Sequence, residues 1–112
     1  MFDNIDYQKK HYQNNKETYR IKNAARKQRN REYVANYLRS HPCVDCGESD
    51  IIVLEFDHID PSTKNGMVSD AYKNGWSIKR INKEIAKCDV VCANCHKRRT
   101  AKQRNSYRYQ AP

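Results

Sequence analysis

Three short stretches hold the residues of this chain best suited to chemistry. Cys43-Val44-Asp45-Cys46-Gly47 and Cys92-Ala93-Asn94-Cys95-His96 each set two cysteines three positions apart. Such a pair makes a tight knuckle whose thiolates face one metal. Four thiolates together bind zinc at ~2.3 Å in a tetrahedral structural site closed to water, with iron as the competing metal. The third stretch, Leu54-Glu55-Phe56-Asp57-His58-Ile59, puts a carboxylate and an imidazole at the end of an apolar run. A carboxylate and an imidazole can share a divalent cation. A second, neutral imidazole is a suitable general base near pH 7. Phosphodiester hydrolysis needs an activated water, a sink for the charge of the pentavalent transition state and help for the leaving oxygen. Asp57, His58 and His96 have the types for those tasks, while Cys43, Cys46, Cys92 and Cys95 have the types for a structural metal. Read singly, Asp57-His58 is equally consistent with a local hydrogen-bonded pair, and His96 with a surface histidine beside the metal.

The rest of the chain must position these groups. It has 112 residues, 38% hydrophobic and 31% charged, which suits one small domain with an appendage rather than a large core. A net charge of +9 favours a polyanionic partner. No apolar run approaches the ~20 residues of a membrane span. The start, Met1-Phe2-Asp3-Asn4-Ile5-Asp6, does not resemble a secretory leader. The expected location is therefore a reducing cytoplasm, where five cysteines imply metal rather than disulfides.

Residues 1–40 contain neither Gly nor Pro and hold ten Lys/Arg against four acids. This composition predicts one long basic helix, or two with a joint near Asn14-Asn15, stopping at Ser40-His41-Pro42. Its apolar seam (Val34, Tyr37, Leu38) is too thin for an independent domain, so the segment is either an arm on nucleic-acid phosphates or a solvated one. Ile51 to Phe56 predicts a strand with Asp57-His58 at its end, since neighbours within a strand would face opposite ways. A long polar loop, Asp60 to Gly75, follows. Ser77 can cap a helix running to about Lys87, with Ile78, Ile81 and Ile85 on one face, Trp76 on the same core and Cys88 a buried thiol rather than a fifth ligand. Val90-Val91 predicts a second short strand, residues from Asn94 onward a cationic helix, and Ser106 to Pro112 a fraying tail.

The ordered set Cys-x-x-Cys-Gly, Leu54-Glu55-Phe56-Asp57-His58-Ile59 and Cys92-x-x-Cys95-His96 closely resembles the HNH endonucleases of the four-cysteine type, common in phages and mobile elements. The resemblance covers about residues 41–104. It implies an α+β fold with a ββα-metal (His-Me finger) core, stapled by zinc and preceded by a basic helical DNA-binding arm over residues 1–40, with a flexible tail over 105–112. By position it implies His58 as general base, and Asp57 and His96 as ligands of a catalytic Mg²⁺, Mn²⁺, Ni²⁺ or Zn²⁺. The family's middle asparagine would fall on Lys87, so Asn82 and Asn94 are the nearest substitutes, and Asn94 is carried as a candidate site residue. A further ligand four residues after the histidine would fall on Thr100, leaving water and phosphate to complete the metal shell. The expected substrate is double-stranded DNA, with the oligomeric state open. Its candidate phosphate contacts are Lys9, Lys10, Arg20, Lys22, Arg26, Lys27, Arg29 and Arg31 in the arm, and Lys97, Arg98, Arg99, Lys102 and Arg104 after the second knuckle. The competing reading is a zinc-ribbon DNA-binding protein without catalysis.

Overall fold

A computed structural model describes residues 15–111. It contains a long helix α1 (Lys16–Arg39), strand β1 (Leu54–His58), helix α2 (Ile78–Ile85), strand β2 (Cys88–Cys92), helix α3 (Ala93–Gln103) and a short helix α4 (Tyr107–Gln110). Two single-turn 3-10 helices, Pro61–Thr63 and Val68–Asp70, interrupt the connection between β1 and α2. The fold is mixed α+β around one two-stranded antiparallel sheet, in which Leu54 faces Cys92, Asp57 faces Asp89 and His58 faces Cys88.

Helix α1 has two different halves. Residues 16–29 are exposed throughout. From Asn30 onward the helix is docked. Asn30 is fully buried, and its side-chain amide donates to the carbonyls of Ala71 (3.2 Å) and Trp76 (3.0 Å). Val34 and Tyr37 then touch both core clusters, and Leu38 is part of one of them. The helix stops where Pro42 requires it to. The Ser40 hydroxyl donates to the Tyr37 carbonyl, and the His41 ring stacks on Tyr37 at 3.8 Å. Asn14 and the residues Lys9, Lys10 and His11 lie outside the described residues, while Asn15 stands at the N-cap of α1.

The core has two clusters. One holds Leu38, Cys43, Leu54, Val90, Val91, Cys92 and Cys95; the other holds Val68, Ala71, Trp76, Ile81 and Ile85. Phe56 on β1 packs against both, as do Val34 and Tyr37. The predicted Ile81–Ile85–Trp76 face is thus present, with the Ser77 hydroxyl capping α2 through the Arg80 amide at 3.1 Å. Gly66 is required where it stands: its φ is +130°, and a Cβ there would lie 2.7 Å from the Trp76 ring.

Four boundaries differ from the sequence reading. The first strand begins at Leu54 rather than Ile51, because Asp50 turns the chain: its carboxylate accepts from the Ile52 amide at 3.0 Å, leaving Ile52 exposed. That strand runs through His58 instead of stopping before Asp57. The loop after it is partly core, since Val68 and Ala71 are buried. Within the tail after Ser106, residues Tyr107–Gln110 form α4, with the Ser106 hydroxyl accepting from the Tyr109 amide.

Candidate functional site

The two knuckles converge. The Sγ atoms of Cys43, Cys46, Cys92 and Cys95 all lie within 4.8 Å of one another. Cys46 and Cys92 sulfurs are 3.7 Å apart, and thiolates placed tetrahedrally at ~2.3 Å from one ion are about 3.8 Å apart. Cluster size and chemistry therefore fit a structural metal such as zinc. Gly47, at φ +79°, lets the first knuckle turn back so that its amide donates to the Cys43 carbonyl at 2.8 Å. The second knuckle opens α3, and the Cys92 sulfur caps it by accepting from the Cys95 amide. Burial raises the Cys43 thiol, but backbone hydrogen bonds from Cys92, Cys46 and Asp45 outweigh it and bring the pKa down to about 6. Burial and the neighbouring sulfurs push Cys95 up to about 12. Sulfurs that cannot all ionise beside one another are the situation a shared cation resolves. Cys88 stands outside this cluster, half-buried at the start of β2, with burial raising it to about 11.

Because β1 runs straight through His58, side chains alternate. Glu55 and Asp57 reach α3, whereas Phe56 and His58 turn toward α2. On the α3 side, His96 Nδ1 meets Glu55 Oε2 at 2.6 Å and its Nε2 lies 3.5 Å from Asp57 Oδ1. A carboxylate can only accept, so in the neutral ring Nδ1 carries the hydrogen and the Nε2 lone pair faces Asp57. Two ligand atoms on one ion at ~2.0–2.2 Å are at most about 4 Å apart. The separation is within that span, and Glu55 holds the imidazole from its other side.

The other Asp57 oxygen belongs to Arg99. That guanidinium donates to Asp57 and Asp89 at 3.1 Å each, and twice to Asp45 at 2.6 and 2.8 Å. Asp57 and Asp89 face each other across the sheet, a like-charge pair that destabilises unless neutralised. Arg99 neutralises it and ties the sheet to the first knuckle; in return its hydrogen bonds hold the Asp45 carboxyl below its usual range.

On the α2 side, His58 Nε2 meets Glu84 Oε1 at 2.9 Å. Glu84 is buried and also accepts from the Asn65 amide at 2.7 Å and from Lys87 Nζ at 2.9 Å. Burial alone would raise its pKa; the donors from Asn65, His58 and Lys87 win and lower it to about 2. Glu84 is therefore an anion, and the neutral His58 ring carries its hydrogen on Nε2. Its Nδ1 has no partner among the described residues. No fully buried side-chain nitrogen or oxygen among them is left unsatisfied, so Nδ1 is not completely buried. His58, His96 and Glu55 line one cavity of about 390 Å³, walled by Val34, Leu38, Phe56, Met67 and Val68.

Other expected residues are placed elsewhere. Asn94 is two positions from His96, about 200° round the helix at 3.6 residues per turn, and lines a separate surface hollow with Lys97, Arg98 and Arg104. Asn82 accepts from the Tyr33 hydroxyl. Neither asparagine side chain hydrogen-bonds His58. Among the candidate phosphate contacts, Arg99 is consumed by three aspartates, and Arg29 donates to the Trp76 carbonyl. Arg31 lies over the Tyr72 ring and Arg26 against Gly75. Arg20, Lys22, Lys27, Lys97, Arg98, Lys102 and Arg104 are exposed. Sequence reasoning missed Glu55, Glu84 and the Arg99 clamp. Glu55 had a signal, lying two positions before Asp57 on the same strand face; Glu84 had only its place beside the predicted Ile81–Ile85 core face.

No protein-family model, curated protein or solved structure matches this chain. Among the described residues, no helix is long and apolar enough to cross a membrane.

Proposed function

We propose that the protein is a metal-dependent DNA endonuclease of the HNH kind, hydrolysing phosphodiester bonds. The observation that carries this reading is the pair of histidines lining one cavity, His58 pinned by Glu84 at Nε2 and His96 held between Glu55 at Nδ1 and Asp57 at Nε2. A group held in one tautomer with a free lone pair is what both a general base and a metal ligand require. In this reading His58 Nδ1 takes the proton from the attacking water, and positioned bases are worth about 10²–10⁴-fold. Asp57 Oδ1 and His96 Nε2 hold the catalytic divalent ion, which supplies positive charge for the leaving oxygen and the phosphoryl group. Glu55 orients His96, and Arg99 holds Asp57 by its other oxygen. The four-cysteine site carries structural zinc. The exposed cations of the first half of α1 and of α3 bind the DNA backbone.

The competing reading, a zinc-ribbon DNA-binding protein without catalysis, is favoured by one observation: Arg99 already neutralises Asp57 and leaves it a single oxygen to offer. Plasmid cleavage separates the two. The protein should cleave after EDTA treatment once Mg²⁺, Mn²⁺ or Ni²⁺ is restored. Binding of plasmid without cleavage under every metal would leave the ribbon reading.

A further inference from the structure

Glu84 is a buried carboxylate that nothing in the proposed chemistry yet uses. Its side chain is 4% exposed, and its two oxygens gather donors from three places: the ring of His58 on β1, the amide of Asn65 in the loop, and Lys87 just past α2. Lys87 also donates to the Thr63 carbonyl at 2.7 Å. One carboxylate thus fixes the histidine ring and the loop whose Lys64 and Met67 line the cavity. Of the roughly four acceptor sites on a carboxylate these donors fill three, and the imidazole is the one donor that belongs to the proposed site.

We propose that Glu84 is a positioning residue for the base: it holds His58 in the Nε2–H tautomer, with Nδ1 directed into the cavity, and fastens the 63–65 loop beside it. This rests on the reading of His58 as general base. Proton balance is simple: the hydrogen on Nε2 stays between His58 and Glu84, and the water's proton arrives on Nδ1. The transient imidazolium then lies against an anion, which stabilises it relative to a ring in water. Without the carboxylate, a neutral imidazole divides between two tautomers, of which only one offers the Nδ1 lone pair.

The test uses the full chain with Glu84→Gln, Glu84→Asp, His58→Ala and the double variant His58→Ala/Glu84→Gln. Nitrogen-15 NMR of the neutral His58 ring should show hydrogen on Nε2 in the wild type and in Glu84→Asp, and a mixture in Glu84→Gln. In metal-supported DNA cleavage, Glu84→Gln should lower kcat by a factor within the ~10²–10⁴ worth of a positioned base, with KM and the metal requirement little changed. Glu84→Asp should recover part of the loss. In the His58→Ala background Glu84→Gln should cost nothing further, because residues acting through one another are not additive. Hydrogen on Nδ1 in the wild type, a tautomer indifferent to residue 84, or losses that multiply in the double variant would each overturn the proposal. Failure of the base reading itself looks different: His58→Ala would cleave like the wild type while the ring tautomer still followed residue 84.

Discussion

Replacing one thiolate should cost this protein half of its core. In the cluster beside the sheet, Cys43, Cys92 and Cys95 are three of seven buried residues; Leu38, Leu54, Val90 and Val91 are the rest. Burying four such aliphatic side chains is worth about 1.5–3 kcal/mol each, or roughly 6–12 kcal/mol together, and that is an upper estimate. A structural zinc contributes about 10–16 kcal/mol apparent in small domains. Net stabilities are only about 5–15 kcal/mol, so Cys95→Ser, which breaks the tetrahedron and exposes a cavity lined by thiols, should remove more than the net. The Trp76 cluster contains no ligand. It shares Val34, Tyr37 and Phe56 with the other, so it should loosen rather than persist unchanged. The wild type should carry one tightly held metal per chain and melt cooperatively. Cys95→Ser should carry none, lose its cooperative circular-dichroism transition and show a red-shifted Trp76 emission. Cys88→Ala, outside the cluster, should keep both metal and melting. A Cys95→Ser protein that melts like the wild type, or a Cys88→Ala protein that loses its metal, would refute the reasoning.

Three other outcomes rest on particular side chains. Asn30→Ala removes two buried hydrogen bonds, to carbonyls that keep the Trp76 amide and Arg29 as donors; at about 0.5–1.5 kcal/mol each it should destabilise the protein by about 1–3 kcal/mol, measurable by urea denaturation, and an effect under about 0.5 kcal/mol would mean that the docking of α1 does not depend on it. Glu84 has a folded pKa of about 2, below the roughly 4.3 of an unfolded glutamate. Its contribution is therefore fully present above the unfolded value and lost as pH falls toward 2. The stability gap between wild type and Glu84→Gln should close over that window, and a gap that widened on acidification would contradict the ion-pair geometry. Finally, Lys16→Ala, Arg20→Ala and Lys27→Ala on the exposed half of α1 should together weaken DNA binding for all sequences. The log–log salt dependence should flatten by about 0.9 for each phosphate that is no longer neutralised. Arg31→Ala, whose guanidinium lies on Tyr72, should affect stability before it affects the slope.

Much of the framework was legible because it rests on local chemistry. Paired cysteines at knuckle spacing, Pro42 as a helix stop, Ser77 as a cap and isoleucines at helical spacing each act over a few residues. The site was legible only as a set of types. Which face each member took depended on the strand running on through His58, and no apolar pattern reveals that, because Asp57 and His58 are themselves polar. Glu84 was hidden for a related reason: an acid within an amphipathic helix reads as a solvated residue until Asn65 and His58, distant in sequence, are brought against it. The pairing of Arg99 was hidden because a cation in a basic run resembles its neighbours, and only the facing of Asp57 and Asp89 across the sheet shows why this one is occupied.

The central claim, that His58 is a base and His96 a metal ligand, is tested most directly by titrating Mg²⁺ or Mn²⁺ into single-turnover DNA cleavage by wild type, His58→Ala and His96→Ala. His58→Ala should bind metal and DNA like the wild type and cleave about 10²–10⁴-fold more slowly at every metal concentration. His96→Ala should shift the metal midpoint upward and recover partly at saturation, with the four-cysteine metal retained. A shifted midpoint in His58→Ala with none in His96→Ala would reverse the two roles, and cleavage unaffected by either substitution would contradict the account.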